Sequence, residues 1–175
     1  TSQFVNAIEV RYNMLDYKKA IELGEQLLPV IRNDIAGKTS SYITLTSIVA
    51  QTYDKLNDLP KAEQNFISAV DAAKQTWGAD APSTAIHRSK LGRFYDRSNR
   101  REGAKTSREE SLNIMRASDY RDAIAIVQYL GYLGNVLQQL DKTKEAEDLY
   151  YEGFSIARMD SLNNLSTYVE AGQEL

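Results

Sequence analysis

A chain of 175 residues with 26% charged positions and three prolines is long enough for one continuous core and reads as a mostly helical globular protein. Its net charge of −3 argues against a chain-wide nucleic-acid or acidic-membrane surface, and the lack of cysteine removes disulfides, thiol catalysis and the usual zinc cages. No apolar run reaches the length of a membrane span and no signal peptide is visible, so the cytoplasm is expected rather than secretion or the periplasm.

The first predicted unit runs from Phe4 to Arg32, and its second helix carries Tyr17, Ala20, Ile21, Leu27, Leu28 and Ile31 at helical spacing, with Asp16 placed to cap it. Gly37-Lys38-Thr39-Ser40 breaks the chain. In the second unit Leu45, Ile48, Val49, Tyr53 and Leu56 share one helical face. Asn57-Asp58-Leu59-Pro60 turns the chain, with Pro60 tolerated in a first helical turn, and Ala62, Phe66, Ala69, Val70 and Ala73 form the answering stripe. Trp77 reads as a plug for the connector that follows. The third unit shows Leu91, Gly92 and Tyr95, then Ala104, Leu112 and Met115; the fourth spans Leu130 to Ala157 with a hinge at Asp141-Lys142-Thr143. Beyond Arg158, Leu162, Leu165, Tyr168 and Val169 suggest a final helix from near Ser161 that covers the open end of the stack.

Ala20, Ala62, Ala104 and Ala146 stand on one strict period of 42 residues. Four phased copies of one supersecondary unit imply a solenoid, in which each helical hairpin buries its apolar side only against a neighbour. The repeats are expected over about 1–36, 41–76, 83–117 and 121–158, with a capping helix over about 161–174. Together they form a single domain over 1–175, which, opening at Thr1, is expected to be part of a larger protein.

The units resemble tetratricopeptide repeats, in the long form found in kinesin light chains. Val49-Ala50, Tyr53, Ala62, Phe66 and Ala69 carry the pattern in unit two, and Leu133-Gly134, Leu137, Ala146, Tyr150 and Gly153 carry it in unit four. Unit three keeps Leu91-Gly92, Tyr95 and Ala104 but departs at Arg108 and Ser111; unit one has Gly24 where the aromatic belongs. The resemblance implies an all-α fold, a right-handed superhelix of about four antiparallel helix pairs with a capping helix. A HEAT-type or armadillo-type solenoid shares the repeat length but does not call for this spacing.

No phosphate-cradling loop, nucleophile elbow or paired metal histidines occur, so no catalytic residue, metal site or cofactor is expected and the chain reads as a non-enzyme. His87, alone, reads as structural or merely exposed. The sharper signal is charge. Nine basic residues lie between Ile86 and Arg116 against four acidic ones, which leaves +5 there and −8 over the rest of the chain. Lys90, Arg93 and Arg97 share a helical face.

In the family, first helices line the concave surface. Carried over by resemblance, the peptide-binding residues would be Ser47, Gln51, Lys55, Lys90, Arg93 and Arg97. Tyr132, Asn135, Gln138 and Gln139 would continue them. The basic face is then either solvated or part of an electropositive groove for an acidic or carboxylate-terminated peptide, with Arg88, Arg101 and Arg108 readable as marks of a looser unit.

The specialised grooves of the family do not transfer. Kinesin light chains place paired asparagines where this chain has Ser47-Ile48, Ser89-Lys90 and Gly131-Tyr132, and no unit shows the Lys–Asn pair of the chaperone-tail clamp. The expected function is a protein-interaction module with a peptide partner, acidic in one reading. The alternatives are a ligand- or peptide-sensing regulatory segment of a larger signalling or transcriptional protein, and self-assembly into a homo-oligomer through the repeat ends. Nucleic acid and membrane are not expected partners.

Overall fold

The period seen in the sequence recurs in the backbone at the hairpin turns. In the computed structural model, which describes residues 2–32, 39–118 and 123–173 (side chains up to Met159), Leu15, Asn57, Asn99 and Asp141 adopt φ of 62°, 61°, 58° and 59°. Each is the left-handed residue that ends a first helix. The next amide donates five residues back, from Asp16 to Arg11 O, Asp58 to Tyr53 O, Arg100 to Tyr95 O and Lys142 to Leu137 O. This is the hydrogen bond of a Schellman ending, and it turns the chain at the same phase four times.

The helices so delimited are α1 (Ser2–Asn13), α2 (Tyr17–Arg32), α3 (Ser40–Lys55), α4 (Leu59–Trp77), α5 (Pro82–Arg97), α6 (Arg101–Ala117), α7 (Ala123–Gln139) and α8 (Thr143–Gln173). Among the described residues no strand occurs. Second helices begin predictably. Asp16 and Asp58 accept the amides of Lys19 and Lys61, each at 3.3 Å, and Pro60 lies in the first turn of α4, where its missing N–H costs nothing.

Among the described residues each helix lies closest to its chain neighbours, and α1 also lies against α3, as an open stack requires. The repeating alanines are the pivots: Ala20, Ala62, Ala104 and Ala146 are all buried. Opposite them small residues let helices approach. A methyl on Gly24 would sit 2.6 Å from Val49 Cγ2, and one on Gly134 would sit 2.6 Å from the Tyr150 ring. Gly131, in the same Gly-Tyr-Leu-Gly run, faces open space instead.

The core has two main bodies. One runs from Val5 through Leu45, Val49 and Phe66 to Phe94; the other runs from Ala85 through Leu112 and Leu130 to Ala146. They meet in α5. A small third cluster joins Ile43, Ala72 and Ala73 with Trp77, which is the plug expected of that tryptophan.

The end of the chain departs from expectation. No separate helix begins near Ser161. α8 continues unbroken from Thr143 to Gln173, because no Gly or Pro interrupts it between Arg158 and Leu162. What Leu162, Leu165, Tyr168 and Val169 cover lies outside the described side chains.

Candidate functional site

The basic run of the third repeat is mostly spent on the fold. Arg97 pairs with Asp54 at 2.8 Å and Arg100 with Glu63 at 2.8 Å, both reaching back to repeat two. Arg116 reaches forward to Glu152 on α8. Arg88 pairs with Glu110, and Lys105 with Glu109, inside repeat three. The Arg100 guanidinium holds the Glu63 carboxyl below its ordinary value. Among the described residues, four of the nine cations have no carboxylate partner: Lys90, Arg93, Arg101 and Arg108.

Three of these four line one cleft. It opens between α5 and α7, and α6 forms its floor. The cleft encloses about 700 Å³, a volume suited to a compact ligand or a few side chains of a peptide. Lys90, Arg93 and Ser89 come from α5, Arg108 from α6, and Tyr129 and Tyr132 from α7; Ile86, Met115 and Ala125 supply apolar wall. No described acidic residue lines it.

Arg108 is the unusual member. It is 5% exposed, at the position that Phe66 fills in repeat two and Tyr150 in repeat four. Its Nη1 donates to Ser89 Oγ at 3.0 Å, and its Cζ lies 4.6 Å from the centroid of the Tyr132 ring. Its buried Nε has no acceptor. Burial presses its pKa down, with Asp96 pulling the other way. Lys90 is also pressed down, first by burial and then by the like charge of Arg93, against a weaker pull from Glu9. Burial pushes the Tyr129 phenol up to about 12.

The family model of the tetratricopeptide repeat matches residues 126–159, which cover most of α7 and the start of α8. The stack also superimposes on solved helical repeats. BtubC (BKLC) from P. vanneervenii aligns at TM-score 0.83 and 19% identity, over 90% of this chain and 63% of that one. A putative kinesin light chain from Podosopora anserina with nearly identical TPR-like repeats aligns at 0.78 and 16%, over 90% and 75%.

The chain has the fold of a tetratricopeptide-repeat solenoid. The apo form of RapI shares its course at TM-score 0.76 and 17% identity, over 93% of this chain and 57% of that one. The chain thus spans less than two thirds of BtubC and of RapI. No curated protein matches its sequence.

On this solenoid the expected ligand residues separate into groups. Lys90, Arg93 and Tyr132 come together at the cleft. Ser47 does not reach a ligand surface: it is buried, and its Oγ hydrogen-bonds His87 Nδ1 at 2.8 Å. The reason is packing, because α5 closes over that face of α3 and Trp77 stacks on the His87 ring at 5.8 Å. Burial drives the His87 pKa down to about 4, so this histidine is a neutral structural member. Gln51 is half-buried, donates to Ser47 O and accepts from Arg93 Nη2 at 3.3 Å. Arg97 is drawn away by Asp54, and Asn135 accepts from Tyr150 OH at 2.8 Å. Lys55, Gln138 and Gln139 are exposed and do not line the cleft.

Sequence reasoning missed Arg108 and Tyr129 as cleft residues. The signal for Arg108 is a cation at the position that is aromatic in repeats two and four.

No described helix is long and apolar enough to cross a membrane, and no described group of three or more His, Asp or Glu side chains could hold a metal ion.

Proposed function

We propose that this solenoid is a non-catalytic interaction module that holds a peptide segment of a partner protein across the first helices of repeats three and four. The observation that carries the reading is the α5–α7 cleft, where unpaired cations and tyrosines stand together on the first-helix wall. Arg93, Lys90 and Arg108 therefore supply a local positive field in a chain of net negative charge, and that favours an acidic segment over a neutral one. The tyrosines add rigid contact area with few rotamers to freeze. The helices that carry them are fixed by hairpin packing, so little ordering is paid on association.

Selection from a random peptide display library tests this. The expected result is enrichment of sequences bearing Asp or Glu, whose binding to purified protein falls by about tenfold or more in an Arg93→Glu/Tyr132→Ala double variant. Selected peptides that bind the double variant as well as the parent protein would remove the cleft from the account.

A further inference from the structure

The guanidinium of Arg108 is a buried cation with no carboxylate at ion-pair distance, and Asp96 acts on it only from further away. A charge in that position is expensive unless it is paired, and burying only one partner of an ion pair is the costliest arrangement. Ser89 and the Tyr132 face compensate it in part, one hydrogen bond and one ring for five N–H donors. The buried Nε is left over. Lys90, also largely withdrawn from water, and Arg93 line the same cleft, and no described carboxylate does. Position 108 shows that this is not forced by the fold. Gly92 lies beneath Arg108 as Gly134 lies beneath Tyr150, so the third repeat has room for the aromatic found in the fourth.

We propose that Arg108, Lys90 and Arg93 form an anion subsite for a carboxylate carried on a compact apolar body. The planar guanidinium suits a carboxylate, and the ammonium adds a second charge-assisted contact. Ile86, Met115 and Tyr129 are chemically fitted to the body that carries it. Two sources share this chemistry: a free small organic acid, and the terminal residue of a polypeptide with an apolar side chain. The subsite lies in the wall assigned above to peptide binding, but it does not need the ligand to be a peptide.

Four probes separate these cases in NMR titrations of the full chain: 3-phenylpropionate, 3-phenylpropionamide, and acetyl-Gly-Ser-Gly-Phe with a free or an amidated terminus. At least one acid is expected to bind about tenfold more tightly than its amide, the size of effect a buried charge pair gives. The preference should vanish in Arg108→Tyr, weaken in Lys90→Gln and persist in Arg97→Gln, whose side chain faces Asp54. Preference shown by phenylpropionate alone assigns a free acid; preference shown more strongly by the peptide assigns a chain terminus. Acid and amide binding alike, binding by neither, or an acid preference that survives Arg108→Tyr would overturn the subsite.

Arg108→Tyr also gives a readout that needs no ligand. Its melting temperature should rise, because a residue kept for an anion is being exchanged for the one that packs; a fall would assign Arg108 to packing and overturn the proposal. The two readings fail separately. Library peptides that bind with no acid preference leave the groove and remove the subsite, whereas phenylpropionate that binds through Arg108 with no peptide selected leaves the subsite and removes the groove.

Discussion

Repeats two and three share a turn, a pivot and a length, yet they bury opposite kinds of surface. On α4 the inward positions are Ala62, Phe66, Ala69, Val70 and Ala73; on α6 the same positions are Ala104, Arg108, Ser111, Leu112 and Met115. Phe66 reaches across the seam to Phe94, ring to ring at 5.2 Å, and closes the gap between the two repeats. Arg108 points a charge into the corresponding gap before repeat four, and that gap stays open as the cleft. Two polar serines, Ser107 and Ser111, complete the contrast; Ser111 returns its hydroxyl to Ser107 O at 2.7 Å. A solenoid tolerates such an exchange because each repeat answers only to its neighbours, so one seam can be given over to a ligand while the other holds the stack.

The largest expected effect breaks the well-packed seam. Phe66→Ala removes a buried ring that packs on Phe94, and should cost about 3–5 kcal/mol in urea unfolding. The equivalent exchange in repeat three has the opposite sign: Arg108→Tyr should gain about 1–2 kcal/mol, since it removes an unpaired buried charge. Equal losses at the two positions would mean that Arg108 carries packing as Phe66 does, and the contrast drawn between the repeats would fail.

Much of this is legible in the sequence alone. Alanine at 20, 62, 104 and 146 gave the phase, and Asp16 and Pro60 gave helix starts that the hydrogen bonds and first turns confirm. These features are local, set by backbone sterics and capping within a few residues. What could not be read was partnership over longer distance. Arg97 finds Asp54, Arg100 finds Glu63 and Ser47 finds His87 across the seam between repeats. Those meetings depend on how neighbouring hairpins are offset, which no single helix encodes. Thus the sequence alone places Ser47 on the ligand face although it is buried, and groups Arg97 with Lys90 and Arg93 although Asp54 holds it elsewhere. Arg108 carried a readable sign, because a cation interrupted an aromatic column, but its burial depended on the approach of α7.

The seam between repeats two and three has a second tie that acid should loosen. His87 is held neutral with a pKa of about 4, whereas in the unfolded chain it titrates near its ordinary value of 6.5. Above about pH 6.5 both states are neutral and the group contributes no slope. As pH falls from there towards 4, the unfolded chain takes up a proton that the folded protein refuses, so stability declines, by up to about 3 kcal/mol in all. Urea midpoints measured from pH 7.5 to 4.5 should show this decline in the parent protein, and His87→Gln should flatten it. Parallel curves for the two proteins would mean that His87 reaches water and is not the neutral link between Ser47 and Trp77.

The smallest effect tests whether the contrast is confined to the helix faces. Asn57 and Asn99 occupy the same left-handed position, at φ of 61° and 58°, and both are exposed. A residue with a Cβ but no side-chain amide pays about 1 kcal/mol to remain there. Asn57→Ala and Asn99→Ala should therefore lose similar amounts, near 1 kcal/mol or less, in thermal unfolding. Repeat one supplies the converse, because Leu15 already holds φ of 62° while 70% exposed, with little packing to lose. Leu15→Asn should gain a few tenths to about 1 kcal/mol. If Asn99→Ala proved much costlier than Asn57→Ala, the third repeat would differ from the second in its turn as well as in its buried face. The strain would then be shared between the hairpin and the cleft, rather than held at Arg108 alone.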